Sequence, residues 1–168
     1  MRYLILFMLP ALIQAQDVPA ALVANPDFDR TIRDYLDFSV PVISCNDLEG
    51  MKNEVLILDS RTRPEYDVSH IPGAHFIGFD AFDEALLADV PKEKKIVVYC
   101  SIGYRSEKVG ERIQAMGYEV SNLYGSIFEW VNQGKQIVDN TGHKTHELHT
   151  YNRKWSKWVE ADSVQKTW

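Results

Sequence analysis

Val97-Val98-Tyr99-Cys100-Ser101-Ile102-Gly103-Tyr104-Arg105-Ser106 is the stretch on which the fold turns. An apolar run ends in a cysteine, bends through a glycine and passes into the helical pattern Glu107 to Met116. Read as strand, turn and helix, it sets Cys100 at the carboxyl end of a buried strand, with backbone N–H groups and a helix N-terminus converging on its sulfur. Such a place favours an anion. It also lowers a thiol pKa, which makes Cys100 the candidate nucleophile.

Working outward, the same strand-then-helix rhythm recurs on both sides. Val55-Leu56-Ile57-Leu58-Asp59 is an uninterrupted apolar run ending in an acid, as expected of a parallel strand buried on both faces. Val40 to Ser44 and Glu119 to Leu123 read as further strands, and a brief strand follows the Pro72-Gly73 turn. Helices are expected over Asn46 to Met51, from Pro64, over Asp80 to Leu87 and over Ser126 to Gln133, with Gly117 stopping the helix that follows Cys100. This alternation predicts an α/β domain with a parallel sheet covered by helices on both faces. In such a sheet the binding crevice lies beyond the carboxyl ends of the strands, where Asp59 and Cys100 both fall.

The chain has 168 residues, 45% of them hydrophobic, which suits one domain with extra sequence at its ends. Its formal net charge is -6 and it has no Lys/Arg-rich run, so the signature of a nucleic-acid binder is missing. Met1-Arg2 followed by thirteen uncharged residues, Tyr3 to Ala15, fits a secretory signal peptide over residues 1–16. The alternative, an uncleaved anchor, falls short of the roughly twenty apolar residues that span a bilayer. A periplasmic or secreted protein without a stable membrane span is therefore expected. Residues 17–41 read as an N-terminal helical extension opened by Asn25-Pro26-Asp27, with Phe28, Ile32, Tyr35 and Leu36 on one stripe.

Asp59-Ser60-Arg61, Glu65-Tyr66, His70-Ile71-Pro72-Gly73-Ala74, the Cys100 to Ser106 loop, Gly117-Tyr118, Leu123-Tyr124-Gly125 and Trp130 occur in an order that resembles the rhodanese family of sulfurtransferases. The resemblance covers residues 42–134. It implies a central five-stranded parallel sheet, and a cysteine that takes a sulfane sulfur from a small anionic donor such as thiosulfate and passes it as a persulfide to a thiol or cyanide acceptor, with an acceptor protein as a further possible partner. No cofactor and no metal are implied. Cys100 is the expected catalytic residue, and Ser101, Ile102, Gly103, Tyr104, Arg105, Asp59 and Arg61 the expected substrate-binding set.

Within that set the amides of Ser101 to Arg105 cradle the terminal sulfur, and Gly103 supplies the backbone freedom for the curl. Arg105 either binds the sulfonate end of a donor or braces the cradle. Ile102 and Tyr104 are expected to point outwards and shape access, while Asp59 and Arg61 support the loop from the neighbouring strand. His70, Pro72 and Gly73 look structural. Four residues separate Cys100 from Arg105; related phosphatases and arsenate reductases of this fold have one more, so phosphatase chemistry is the weaker enzymatic reading. Ser69 and Ser126 stand where relatives commonly have glycine, and neither is expected to touch Cys100. The family's strand order sets Cys45 and Cys100 two strands apart, about 10 Å, beyond the roughly 7 Å a disulfide tolerates. No bridge is expected.

Residues 135–168 form a tail outside the resemblance. His143, His146 and His149 recur every third residue, which suits neither a strand face nor a metal-ligand spacing of an established kind. Thr150 is expected to cap an amphipathic helix with Tyr151, Trp155, Trp158 and Val159 on one stripe. That stripe either packs on the domain beside the Phe28 to Leu36 helix or serves as an aromatic docking surface. The second option carries the alternative function, a non-catalytic rhodanese module that binds a partner protein through its tail.

Overall fold

The computed structural model describes residues 22–80 and 82–168; the leader expected over residues 1–16 lies outside them. In chain order the elements are α1 (Pro26–Tyr35), β1 (Val42–Ile43), α2 (Cys45–Met51), β2 (Leu56–Asp59), α3 (Arg63–Val68), β3 (His75–Phe76), β4 (Ile96–Tyr99), α4 (Tyr104–Ala115), β5 (Val120–Leu123) and α5 (Ser126–Asn132). The tail adds β6 (Ile137–Val138), β7 (Lys144–Thr145), β8 (Glu147–His149) and β9 (Gln165–Thr167). Among the described residues no helix is long and apolar enough to cross a membrane.

Five strands form one parallel sheet in the order β1-β5-β4-β2-β3. Its middle strand, β4, is buried at every position, as its unbroken apolar sequence requires. Successive side chains of β4 point to opposite faces. Val97 and Tyr99 enter a core shared with Phe28, Ile32, Leu123, Phe128 and Trp130. Val98 faces a second core built from Val40, Leu58, Val109, Ile113 and Val120. α4 lies close on the second face because it carries Gly110, where a Cβ would sit 3.0 Å from Val40 Cγ2 and 3.2 Å from Val120 Cγ1.

Two expected helices are corrected. Among the described residues of Asp80 to Leu87 only a 3-10 turn forms, Glu84–Leu87, opened by the Asp83 carboxylate accepting from the Ala85 N–H; such local bonds compete with a continuous helix. The amphipathic helix expected from Thr150 is absent, and a 3-10 turn at Ser156–Trp158 stands in its place. Thr150 does not cap a helix: its N–H and hydroxyl both donate to the Thr167 carbonyl, at 2.7 and 3.0 Å, at the end of the parallel β8–β9 pair. Tyr151 then takes a left-handed φ of 67°, which breaks any helical run.

The aromatic stripe nevertheless packs on α1. Trp158 stacks on Phe28 with ring centroids 5.3 Å apart, and Trp155 meets Tyr35 edge-on at 5.3 Å. Leu148 and Val159 from the tail enter the same core as Val97 and Tyr99. The 135–168 segment thus contributes side chains to the domain's core. Two of its three histidines have separate partners: the Thr141 hydroxyl lies 2.7 Å from a His143 ring nitrogen, and His149 Nδ1 accepts from the Tyr151 N–H.

Candidate active site

The carboxyl edge of β4 releases Cys100 into a tight loop that re-enters helix at Tyr104. Gly103 makes the loop possible. Its φ of 125° is a conformation L side chains rarely adopt, so a residue with a Cβ would be strained there. The Gly103 N–H donates to the Cys100 sulfur at 3.1 Å.

The rest of the loop is fixed from behind. N–H groups of Ile127 and Phe128, in the first turn of α5, donate to the carbonyls of Cys100 and Ser101 at 3.3 Å each. A trans peptide points its C=O and N–H in opposite directions, so the N–H groups of Ser101 and Ile102 face away from α5. The Gly103 carbonyl accepts from the Glu107 N–H at 2.9 Å and from Asn122 Nδ2 at 3.0 Å, which turns the Tyr104 N–H the other way. Among the described residues no protein group accepts from the N–H groups of Ser101, Ile102, Tyr104 or Arg105. They are available to an anion.

Burial by itself raises the Cys100 thiol pKa. The positive charge of Arg105 opposes it, and the N–H groups of Ser106 and Gly103 add to that opposition; together they leave the thiol below its ordinary value. Cys45 shows the contrast. It opens α2, one residue earlier than expected, and burial pushes its thiol far up. Both cysteines are free, and β5 separates the strand preceding Cys45 from β4.

Arg105 braces the loop. Its Nη1 and Nη2 each donate to Glu65 at 2.8 Å, and Nη2 also reaches the Ser101 hydroxyl at 3.0 Å. Burial pushes the Glu65 carboxyl up, but the Arg105 bonds and charge and the Thr62 N–H and hydroxyl outweigh it and hold the group at about 2. Sequence reasoning placed Glu65 only within a motif. Its capping-box spacing with Thr62 was visible, but its bond to a residue forty positions away was not.

Cys100 is 1% exposed and forms the floor of a pocket of about 530 Å³, whose lining includes Ser101, Ile102, Tyr104 and Arg105. Tyr104 projects outwards as expected. Ile102 does not: it is buried in the core and only borders the pocket. Asp59 and Arg61 lie outside the lining, fully buried and paired with each other at 2.7 Å. Arg61 Nη2 also donates to the Ser69 carbonyl at 2.6 Å, so the pair ties the turn after β2 to the end of α3 and does not face a substrate. His70 is absorbed by structure, stacked on Tyr66 at 4.0 Å and bridged to Val138 through its backbone.

Two contacts were missed. Asn122 is a buried polar residue inside an apolar strand, a signal in its own right; besides holding Gly103 it accepts from the Ser106 hydroxyl at 2.7 Å. Ser126, expected to stay clear of the cysteine, accepts the Cys100 N–H on its hydroxyl at 3.1 Å and donates to the Leu123 carbonyl. The correction has a simple cause. Ser126 begins α5, and α5 abuts the loop.

Fold and site together define a parallel α/β protein with a cysteine of lowered thiol pKa set in a tight loop of backbone N–H groups at the carboxyl edge of its sheet. The chain belongs to the family described as Rhodanese-like domain, matched over residues 44–133. That membership supports sulfurtransferase-like chemistry. Curated relatives include the tRNA uridine(34) hydroxylases of Escherichia fergusonii, 31% identical over 121 residues, and of Erwinia tasmaniensis, 34% identical over 89 residues. These alignments cover 68% and 49% of this chain but only 33% and 25% of the relatives, so the chain spans a third or less of their length. Similar solved structures include a rhodanese-related protein from Thermoplasma volcanium (TM-score 0.54, 24% identity, 58% of this chain and 97% of that one). A thiosulfate sulfurtransferase from Pseudomonas aeruginosa is also similar (TM-score 0.53, 18% identity, 79% of this chain and 25% of that one). At these identities the likeness concerns the fold.

Proposed function

We propose that this protein is a sulfurtransferase that carries a sulfane sulfur on Cys100 as a persulfide, taking it from thiosulfate or a similar small anionic donor. The observation that supports this most is the Cys100 thiol itself, lowered below its ordinary pKa in the lining of a pocket, inside a loop where the N–H of Gly103 points at the sulfur and those of Ser101, Ile102, Tyr104 and Arg105 have no protein acceptor among the described residues. The Cys100 thiolate attacks the outer sulfur of thiosulfate; a new S–S bond forms, the old one breaks, and sulfite leaves with the electron pair. Loop amides then hold the terminal sulfur of the Cys-S-S anion. A thiolate or cyanide attacks that sulfur and carries it away, and Cys100 returns as the thiolate. Atoms and electrons balance with donor, cysteine and acceptor alone. Export under the leader-like residues 1–16 belongs to the same proposal.

Hydroxylation of a tRNA uridine is named for relatives of which this chain matches a third or less, and the net charge of -6 without a basic run gives no support for carrying it over. The non-catalytic alternative relied on the tail aromatics, of which Trp155 and Trp158 are engaged with α1. Incubation with thiosulfate and cyanide should yield thiocyanate, and Cys100→Ala should abolish it. Absence of both thiocyanate and a one-sulfur mass increment on Cys100, with every donor tried, overturns the reading.

A further inference from the structure

The pocket above Cys100 is far larger than thiosulfate, and its walls are aromatic. Tyr35, Phe79, Tyr104, Tyr151 and Trp155 all line it, and among the described residues Arg105 and Asp80 are its only charged lining residues. Tyr35 lies at the centre of a built collar, edge-on to Tyr104 at 6.4 Å and edge-on to Trp155 at 5.3 Å. Tyr35 belongs to α1, and Tyr151 and Trp155 to the tail. All three lie outside the residues 44–133 that match the family.

The cation of this lining is largely committed. Arg105 is bound by both Glu65 oxygens, its side chain is 15% exposed, and the Tyr151 ring lies over it with 5.3 Å between guanidinium carbon and ring centroid. It lowers the thiol pKa through its charge but has little left to clamp a dianion. A volume of this size, mostly apolar with a few polar groups in its lining, is that of a small-molecule site.

Resting on the sulfurtransferase reading, we infer that the collar of Tyr35, Tyr104, Tyr151 and Trp155 selects a small organic sulfur donor with a planar aromatic or apolar body and a single negative charge, in preference to free thiosulfate. The body of such a donor stacks in the collar and its sulfane sulfur reaches Cys100. For an arylthiosulfonate, the Cys100 thiolate attacks the terminal sulfur, the S–S bond of the donor breaks, and the arylsulfinate leaves with the electron pair. The cysteine is left as the same Cys-S-S anion.

Three donors separate the effects in the full chain with cyanide as acceptor: thiosulfate, methanethiosulfonate and benzenethiosulfonate. Charge and reacting group are the same in the last two, and only the ring differs. Benzenethiosulfonate should exceed methanethiosulfonate in kcat/KM by about fivefold or more, the scale of one good aromatic contact. Tyr151→Ala alters a side chain that is 52% exposed, so its fold is safe; it should cut that ratio at least about threefold, and Tyr151→Phe should restore it. Equal kcat/KM for the methyl and phenyl donors, or a ratio unmoved by Tyr151→Ala, overturns the inference while leaving sulfur transfer standing. Failure of all three donors to charge Cys100 overturns both.

Discussion

At the scale of single residues, the chemistry depends on a competition around one sulfur atom. Burial opposes the thiolate, and the charge of Arg105 with the donors of Ser106 and Gly103 prevails. Removing that charge should therefore raise the thiol pKa. We expect the pH midpoint for alkylation of Cys100 by iodoacetamide to lie below that of free cysteine, to move upward in Arg105→Gln, and to stay low in Arg105→Lys, which keeps the charge and loses the bidentate fork. Arg105→Gln also strands the buried Glu65 carboxylate, and breaking such a pair costs about 3 kcal/mol in folding stability. Arg105→Lys is thus the control that separates reactivity from unfolding. A midpoint that falls in Arg105→Gln would contradict the assignment of Arg105 as the dominant stabilising charge.

At the scale of elements, what could be read in the sequence followed burial. Leu56–Asp59 and Ile96–Tyr99 are strands buried on both faces, so they appear as unbroken apolar runs, and the loop between β4 and α4 announces itself through Cys100 and Gly103. Contacts across the fold left no such mark. Glu65 to Arg105, Asn122 to Gly103 and Ser126 to Cys100 join residues 40, 19 and 26 positions apart, and which elements abut is decided by the packed sheet. The tail failed differently: Tyr151, Trp155 and Trp158 do have helical spacing, but Thr150 pairs with Thr167 and the aromatics reach α1 from turns. Ser126 shows how one element serves another. It has a left-handed φ of 51° and spends its hydroxyl on the Cys100 N–H. Ser126→Ala keeps the strained φ and leaves a buried N–H unpaired, so a loss of about 1–3 kcal/mol is expected. Ser126→Gly removes the same bond but relieves the backbone, so its loss in chemical denaturation should be smaller. The reverse order would mean that the left-handed backbone carries no strain, and no loss in either variant would mean that the hydroxyl does not anchor the loop.

At the scale of the whole molecule, the family match ends at residue 133 but the interior does not. One core contains Phe28 and Ile32 from α1, Val97 and Tyr99 from the central strand, Trp130 from α5, and Leu148 and Val159 from the tail. Asn132 reinforces the joint, its amide nitrogen donating to the Trp158 carbonyl at 2.8 Å and its oxygen accepting the Glu160 N–H at 2.7 Å. A core shared in this way makes the extensions and the sheet a single cooperative unit. Three of the four tryptophans, Trp155, Trp158 and Trp168, lie in the tail, so fluorescence reports mainly on it while far-ultraviolet circular dichroism reports on the helices and the sheet. The two signals should give coincident unfolding curves in urea. Trp158→Ala removes the ring stacked on Phe28 and should lower the common stability by about 2–4 kcal/mol with the curves still superimposed. It should also weaken the pocket, because Trp155 and Tyr151, which line it, are carried by the same segment. Two separated transitions, fluorescence first, would instead make the tail an independently melting strap, and the aromatic wall above Cys100 would then come and go without the sheet.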